Sequence, residues 1–226
     1  MMPLCSQGTY SPTNVKRAVF LDRDGVINRA IVRNGKPYPP GGLDEFEILP
    51  GVEQSIRALR RAGYLIVVVT NQPDVAKGIQ RREVVEAMHA VLQTAGLCDD
   101  IKVCYHTADD GCECRKPKPG MLFEAAHQWR IDLAGSFMVG DRWLDVAAGK
   151  AAGCYTFFID YKYQEEHIGK PDMCVRSLKE ALAAENVDLG DRRPLHGPRR
   201  DAEQRNAEGK NDPHCLGPGD GTARPW

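Results

Sequence analysis

Arg17-Ala-Val-Phe-Leu-Asp22-Arg-Asp24-Gly25 joins a short apolar run to two carboxylates that stand two residues apart. The apolar run predicts a buried strand, and ligands of open α/β sheets bind in the crevice beyond the carboxyl ends of the strands. Like charges this close repel unless a cation or a proton lies between them. The stretch therefore predicts a nucleophile-and-acid pair or a site for a hard metal ion. A solvated Asp-rich turn is the alternative that the stretch alone leaves open.

Two further apolar runs also lead into polar side chains. Tyr64-Leu-Ile-Val-Val-Val-Thr70 is followed by Asn71 and Gln72, and Ser136-Phe-Met-Val-Gly-Asp141 ends in an acid. The basic dipeptide Arg115-Lys116 lies between these two runs along the chain. Because the carboxyl ends of parallel strands share one edge of a sheet, we expect these groups to line one crevice with the first two carboxylates.

Apolar periodicity predicts helices between the strands. Val52, Ile56 and Leu59 recur at helical spacing after the start signal Pro50-Gly51. Further strands are predicted at 101–105 and 155–159, and further helices near 81–95, 120–130 and 143–152. This alternation predicts an α/β fold, a doubly wound parallel sheet with helices on both faces. The segments between the motifs are too short for a large cap domain, so we expect an open active site.

Length and composition limit the classes of protein. The chain has 226 residues and a net charge of −1, which suits one domain and gives no general attraction to nucleic acid or anionic membranes. No run approaches the ~18 apolar residues of a membrane span, and the start lacks the pattern of a signal peptide. We expect a cytoplasmic monomer with its domain at 15–187. Flexible segments are expected at 1–14 and at 188–226, where Gly, Pro, Arg and Asp dominate.

Three cysteines and one histidine cluster within eleven residues. Residues i and i+2 of an extended chain face the same side, so Cys104 with His106 and Cys112 with Cys114 form two pairs joined by a short loop. A Cys₃His set is typical of structural zinc. Buried thiols or an adventitious disulfide are the alternatives. Since the cluster adjoins Arg115-Lys116, bound zinc would hold that dipeptide toward the crevice.

The order Asp-x-Asp, Thr, Lys and Gly-Asp-x-x-x-Asp resembles the four motifs of the haloacid dehalogenase-like superfamily, and the match spans roughly residues 16–160. This resemblance implies a Mg²⁺-dependent phosphomonoester hydrolase with a small-molecule substrate. It implies that Asp22 is the nucleophile that forms an aspartyl-phosphate. Asp24 would be the general acid and base.

The same resemblance implies roles for the remaining motif residues. Asp141 would hold Mg²⁺ together with Asp22 and the backbone carbonyl of Asp24. Thr70 would donate a hydrogen bond to the phosphoryl group, and Lys116 would act on it as a point charge. The role of Asp145 stays open: it can support Lys116 or a metal-bound water, or be an ordinary acid in the first turn of a helix.

Longer segments resemble a nearly capless branch of that superfamily, which removes the 7-phosphate of D-glycero-D-manno-heptose 1,7-bisphosphate. The segments are Phe20-Leu-Asp-Arg-Asp-Gly-Val-Ile-Asn28, Val67-Val-Val-Thr-Asn-Gln72, the Cys-x-His and Cys-x-Cys pairs, Cys114-Arg-Lys-Pro-Lys-Pro-Gly-Met121 and Met138-Val-Gly-Asp141. The resemblance implies a phosphorylated sugar as substrate and zinc at the Cys/His cluster. It also implies substrate-binding roles for Asn71, Gln72, Arg115 and Arg142.

Two segments depart from the pattern of that branch where substrate specificity would be set. The loop 29–42 is longer than its substrate loop, and Pro73-Asp74 stands where a turn of small residues is usual. A histidinol-phosphate phosphatase, or a phosphatase of another small sugar phosphate, therefore remains the enzymatic alternative. A non-catalytic phosphosugar-binding regulatory module is the alternative from another class, and the complete motif set disfavours it.

Overall fold

The computed structural model describes residues 15–165 and 169–184. The strands are β1 Arg17–Leu21, β2 Ile31–Arg33, β3 Lys36–Tyr38, β4 Tyr64–Asn71, β5 Asp100–Cys104, β6 Phe137–Gly140, β7 Tyr155–Ile159 and β8 Met173–Val175. The helices are α1 Val52–Arg61, α2 Arg82–Thr94, α3 Gly120–Trp129, α4 Trp143–Ala152 and α5 Leu178–Ala184, with a 3₁₀ helix at Leu43–Glu45. The segments predicted to be flexible, 1–14 and 188–226, lie outside the described residues.

Six strands form one parallel sheet in the order β5-β4-β1-β6-β7-β8. The chain runs outward from β1 through β4 to β5, then crosses back to place β6 on the other side of β1. The strand order therefore reverses beside β1, and the crevice at such a point is where ligands of doubly wound sheets bind. The predicted fold class is confirmed.

The sheet separates two apolar layers, and strand alternation divides the side chains of β1 between them. Val19 and Leu21 pack into the layer under α1 and α5, and Ala18 and Phe20 pack into the layer under α3 and α4. All four side chains are fully buried. Strands covered on both faces read as continuous apolar runs, which is why β1 and β4 stand out in the sequence.

The described chain between β1 and α1 contains only a two-stranded antiparallel hairpin and the 3₁₀ helix. The prediction of no large cap is therefore confirmed. The hairpin β2–β3, the edge strand β8 and the helix α5 were not predicted. Within the described residues, no helix has the length and apolar character that crossing a membrane requires.

Candidate active site

The predicted crevice exists, and most of the predicted polar groups line it. Asp22 directly follows β1, Thr70 lies in the last part of β4, and Asp141 directly follows β6. The wall of the cleft includes Asp22, Asp24, Thr70, Asn71, Lys116, Arg142 and Asp145. The rest of the wall comes from Pro37, Tyr38 and Pro39 at the hairpin and from Leu144 on α4. The site is therefore a cleft at the strand ends that a small hairpin narrows on one side.

Lys116 is the cation at the base of the cleft. Its Nζ lies 2.6 Å from Asp22 Oδ1 and 2.6 Å from Asp145 Oδ1, and it donates a hydrogen bond to the carbonyl of Val69 at 2.8 Å. Burial alone would lower the pKa of Lys116, but Asp145 and Asp22 outweigh it and raise that pKa above its ordinary value. Lys116 is thus a fixed positive charge beside the predicted nucleophile.

Asp145 has two contacts that settle its place in the fold. Oδ1 forms an ion pair with Lys116, and Oδ2 accepts a hydrogen bond from the backbone N–H of Arg142 at 3.0 Å. The carboxylate therefore supports Lys116 and also satisfies a free donor at the start of α4. The sequence left open whether Asp145 supports Lys116 or is an acid in the first turn of a helix, and its contacts fit both descriptions.

Asp141 is fully buried, and neither of its side-chain oxygens has a hydrogen-bond partner among the described residues. Burial and the charges of Asp22 and Asp145 raise the pKa of Asp141 well above its ordinary value. The Tyr163 hydroxyl lies near enough to oppose that rise in pKa, but it makes no hydrogen bond of normal geometry with either oxygen. Two unpaired buried oxygens are costly unless a cation or a proton satisfies them.

The acidic cluster fits a hard divalent cation. Carboxylate oxygens of Asp22, Asp141 and Asp145 lie within 4.8 Å of one another. Burial, the largest effect, raises the pKa of Asp22 to about 7 against the opposing charge of Lys116. Mg²⁺ prefers oxygen ligands and is commonly held by one or two carboxylates, with waters completing its shell. Such an ion would pair the free oxygens of Asp141 and stabilise the charged form of the buried Asp22 carboxylate.

Asp24 is held by three side chains. Arg23 donates to both of its oxygens, with Nη2 2.9 Å from Oδ2 and Nε 3.2 Å from Oδ1. Asn28 Nδ2 donates to Oδ1 at 2.9 Å, and Gln72 Nε2 donates to Oδ2 at 2.8 Å. These contacts fix the orientation of the Asp24 carboxylate at the cleft wall.

Asn71 and Gln72 organise the end of β4. Asn71 exchanges two hydrogen bonds with the backbone of Lys116, at 3.0 and 3.1 Å, and so fixes the loop that carries this lysine. Besides its bond to Asp24, the Gln72 amide donates to the Thr70 hydroxyl at 3.0 Å. Asn71 lines the cleft, whereas Gln72 is buried behind it.

The two predicted substrate arginines differ in position. Arg142 lines the cleft, and its Nε donates to Glu165 at 2.8 Å. Arg115 does not belong to the cleft wall, and its Nη1 donates to the backbone carbonyl of His106 at 3.2 Å. Arg115 therefore braces the Cys/His loop in this structure.

The predicted Cys/His cluster is assembled. His106 Nδ1 lies 3.7 Å from Cys104 Sγ and 3.3 Å from Cys114 Sγ. Cys112 Sγ lies 3.7 Å from Cys104 Sγ and 3.4 Å from Cys114 Sγ. None of the three cysteines is in a disulfide. The four donor atoms thus surround one point and are able to hold a metal ion.

Sequence reasoning missed Arg23, Asn28 and Tyr38. Arg23 and Asn28 lie inside the first motif, but their contacts with Asp24 depend on how the chain turns after β1. An arginine between two carboxylates was the signal available for Arg23. No pattern distinguishes Tyr38 from an ordinary loop aromatic.

Comparisons with known proteins agree with this geometry. A family model for hydrolases, the haloacid dehalogenase-like hydrolase, matches residues 40–153. A D-glycero-beta-D-manno-heptose-1,7-bisphosphate 7-phosphatase of Pseudomonas aeruginosa is 38% identical over 158 residues, which is 68% of this chain and 86% of that protein. Its namesake in Vibrio cholerae is 41% identical over 185 residues, 76% of this chain and 91% of that protein.

Solved structures give the same result. The D,D-heptose 1,7-bisphosphate phosphatase of Bordetella bronchiseptica, in complex with magnesium and phosphate, matches with a TM-score of 0.64 and 31% identity over 74% of this chain and 97% of that chain. A HAD-like phosphatase of Mesorhizobium loti matches with a TM-score of 0.60 and 31% identity over 78% of this chain and 88% of that chain. With half of its length matched by the family and relatives aligned over most of their own length, the chain belongs to the haloacid dehalogenase-like hydrolases.

Proposed function

We propose that this chain hydrolyses a phosphate monoester through Asp22, and that its substrate is D-glycero-D-manno-heptose 1,7-bisphosphate, from which it removes the 7-phosphate. The observation that carries the chemistry is the convergence of Asp22, Lys116 and the unpaired oxygens of Asp141 at the strand ends. The names of relatives that align over 86% and 91% of their own length support the substrate.

Asp22 performs the first half of the reaction. Lys116 holds Oδ1 of Asp22, and we assign Oδ2 to the attack on phosphorus. The new bond from Oδ2 to phosphorus forms as the ester bond breaks, and the leaving sugar oxygen takes a proton from Asp24. In the second half, water attacks phosphorus, gives its proton to Asp24, and releases phosphate from Asp22.

Charge stabilisation comes from groups placed before the substrate arrives. Asp22, Asp141 and the backbone carbonyl of Asp24 would hold Mg²⁺, which would supply positive charge against the phosphoryl oxygens. Lys116 supplies a second positive charge that costs no reorganisation, because two carboxylates and a carbonyl already fix its Nζ. Thr70 donates its hydroxyl to the phosphoryl group.

Residues at the cleft mouth select the substrate. Asn71 and Arg142 line the cleft, and Arg142 binds the distal phosphate because a guanidinium pairs with phosphate oxygens in two places. Gln72 acts from behind the wall through Thr70 and Asp24. Arg115 donates one hydrogen bond to the carbonyl of His106. This bond breaks when the Arg115 side chain turns toward the substrate.

The Cys/His cluster binds a structural zinc ion. Sulfur ligands about 2.3 Å and a nitrogen ligand about 2.0 Å from a tetrahedral zinc ion lie roughly 3.5 to 3.8 Å from one another. Four of the six pairs of donor atoms in the cluster are 3.3 to 3.7 Å apart, and all of them lie within 4.8 Å of one another, which supports a cage of this size. The ion performs no chemistry; it holds the loop that continues into Arg115-Lys116.

A substrate screen tests the proposed function. Phosphate release is measured with heptose 1,7-bisphosphate, histidinol phosphate and other small sugar phosphates, with and without Mg²⁺. We expect the largest kcat/KM for the heptose bisphosphate and no turnover without Mg²⁺. A preference for histidinol phosphate overturns the substrate while sparing the mechanism. Binding of sugar phosphates without turnover of any of them identifies a non-catalytic module instead.

Metal analysis tests the zinc proposal. Purified protein is expected to contain about one zinc ion per chain, in keeping with one Cys₃His set. Fully folded and fully active protein that contains no zinc contradicts it.

A further inference from the structure

Arg23 is an arginine with no exposed surface, and the hydrogen bonds of its guanidinium go to Asp24 and to one histidine. The guanidinium also lies over the Phe46 ring, 5.9 Å from the ring centroid. Its Nε and Nη2 donate to the Asp24 carboxylate. Its Nη1 lies 3.1 Å from Nε2 of His89. An arginine is almost never fully buried unless its charge is paired and its donors are satisfied. The charge of Arg23 is therefore committed to one side chain of the active site.

His89 holds the far end of this arginine. It lies on α2, 66 residues away in the chain, and only 7% of its surface is exposed. Burial, and then the charge of Arg23, lower the pKa of His89 to about 4, so the ring is neutral. Because every nitrogen of a guanidinium is a donor, Nε2 of His89 must be the acceptor. His89 thus anchors Arg23 to a helix that packs in the core.

The Asp24 carboxylate is the last group in this series of contacts, which runs from His89 through Arg23. Asn28 and Gln72 occupy one oxygen each, and Arg23 spans both, so rotation of the carboxylate breaks several charge-assisted hydrogen bonds at once. The side chain still reaches the cleft. A general acid has to lie within hydrogen-bond reach of the leaving oxygen, and these contacts fix the Asp24 carboxylate at the cleft wall, where a substrate would bind.

We propose that Arg23 and His89 are positioning residues that hold Asp24 in the orientation from which it protonates the leaving sugar oxygen. The inference rests on the proposed role of Asp24 as general acid. The wall of the cleft contains no residue of α2. The inference therefore gives this helix an indirect part in the reaction, through His89 and Arg23.

The test compares two leaving groups. A sugar alkoxide needs a proton as it leaves, whereas p-nitrophenolate is a weak base and leaves without one. We take kcat/KM for a sugar phosphate and for p-nitrophenyl phosphate, and their ratio is the readout. This ratio reports events up to the departure of the alcohol, so the later attack of water does not contribute. A variant that merely loses folded protein lowers both values equally and leaves the ratio unchanged.

The variants are Arg23→Met, His89→Leu and His89→Gln, with Asp24→Asn as reference. We expect Arg23→Met to lower the ratio about 10²-fold, in the direction of Asp24→Asn, because displaced catalytic groups cost rates of this order. His89→Leu should lower the ratio about fivefold, and His89→Gln should restore it, because the glutamine oxygen also accepts from Nη1. Met88→Leu, a buried volume-conserving change on α2, is the matched control and should keep the wild-type ratio.

The outcomes separate the two proposals. If Asp24→Asn lowers the ratio while the folded Arg23 and His89 variants keep it, the positioning role is wrong and the proposed function stands. If Asp24→Asn also keeps the ratio, the general acid of the proposed function is wrong. Should Arg23→Met fail to fold, the pair His89→Leu and His89→Gln decides. A lowered ratio in His89→Leu that His89→Gln restores supports the inference, and equal ratios in the two variants overturn it.

Discussion

At the scale of single residues, the site depends on how closely Gly25 approaches Asp141. Gly25 has φ +90°, and a Cβ atom built on it would lie 1.8 Å from Asp141 Oδ2. Any other residue at this position therefore meets two obstacles, a left-handed backbone and a carboxylate in the space of its side chain. Because Gly25 has no side chain, the buried Asp141 carboxylate can lie against the backbone next to Asp24.

Gly25→Ala is expected to displace Asp141 and so to weaken Mg²⁺ binding. We predict a loss of kcat/KM of about 10²-fold, since a misplacement near 1 Å has effects of this size, and a higher Mg²⁺ concentration for half-maximal activity. Activity titrated with Mg²⁺ measures both.

Gly63→Ala is the matched control for that experiment. Gly63 has φ +83°, and no atom lies within 4 Å of its added Cβ. It therefore isolates the backbone strain, which costs about 1–2 kcal/mol and lowers Tm without changing the Mg²⁺ requirement. Equal Mg²⁺ requirements in the two variants would contradict the role given to Gly25.

The sequence could predict which residues occur at the site but not what each of them touches. Asp22, Thr70 and Asp141 follow or end apolar runs, so the rule for parallel sheets brings them together. The partners of Asp24 come from places that no local pattern connects, above all Gln72, 48 residues away. Such contacts depend on the register of β1 against β4, which is a property of the assembled sheet.

At the scale of elements, the hairpin β2–β3 is the piece that sequence patterns missed. Its strands have three residues each, they are largely exposed, and Pro37 lies in the second of them. Short exposed strands carry no apolar periodicity, and a proline usually argues against a strand. The long buried strands and the amphipathic α1 were predictable because burial itself produces the pattern.

The hairpin wall should affect substrate affinity more than chemistry. Tyr38 lines the cleft, so Tyr38→Ala is expected to raise KM for the sugar bisphosphate about tenfold, the effect of losing ~1.4 kcal/mol of contact. Inhibition by inorganic phosphate should be unchanged, because phosphate alone binds at Asp22 and Lys116. Val32→Ala, on the same hairpin but outside the cleft wall, is the control. Equal KM values for both variants would remove Tyr38 from the substrate site.

The Cys/His loop is the second element whose integrity can be measured. Cys112→Ser is expected to lower the zinc content and Tm together, because a structural ion contributes directly to folding. Cys98→Ser makes the same chemical change at a buried thiol outside the cluster and should leave the zinc content intact. Identical zinc content and Tm in the two variants would mean that the cluster holds no structural metal.

At the scale of the whole molecule, the parallel sheet turns distant motifs into one site. The ends of β1, β4 and β6 and the loop that carries Lys116 converge where the strand order reverses, and the layer on each face fixes β1 from both sides. The absence of any large insertion between β1 and α1 in the described chain leaves the cleft open toward the hairpin. A capless enzyme of this kind relies on its loops, rather than on a closing domain, to exclude water and select the substrate.

The central claim is that Asp22 is the nucleophile, and Asp22→Asn tests it most directly. The amide is isosteric with the carboxylate but cannot form the aspartyl-phosphate, so the fold should persist while phosphate release falls to background. Glu53→Gln, the corresponding change on the exposed face of α1, should keep wild-type turnover. Phosphate release from the heptose bisphosphate, measured in the presence of Mg²⁺ on protein of confirmed Tm, gives the answer. Turnover by Asp22→Asn near that of the wild type would contradict the account.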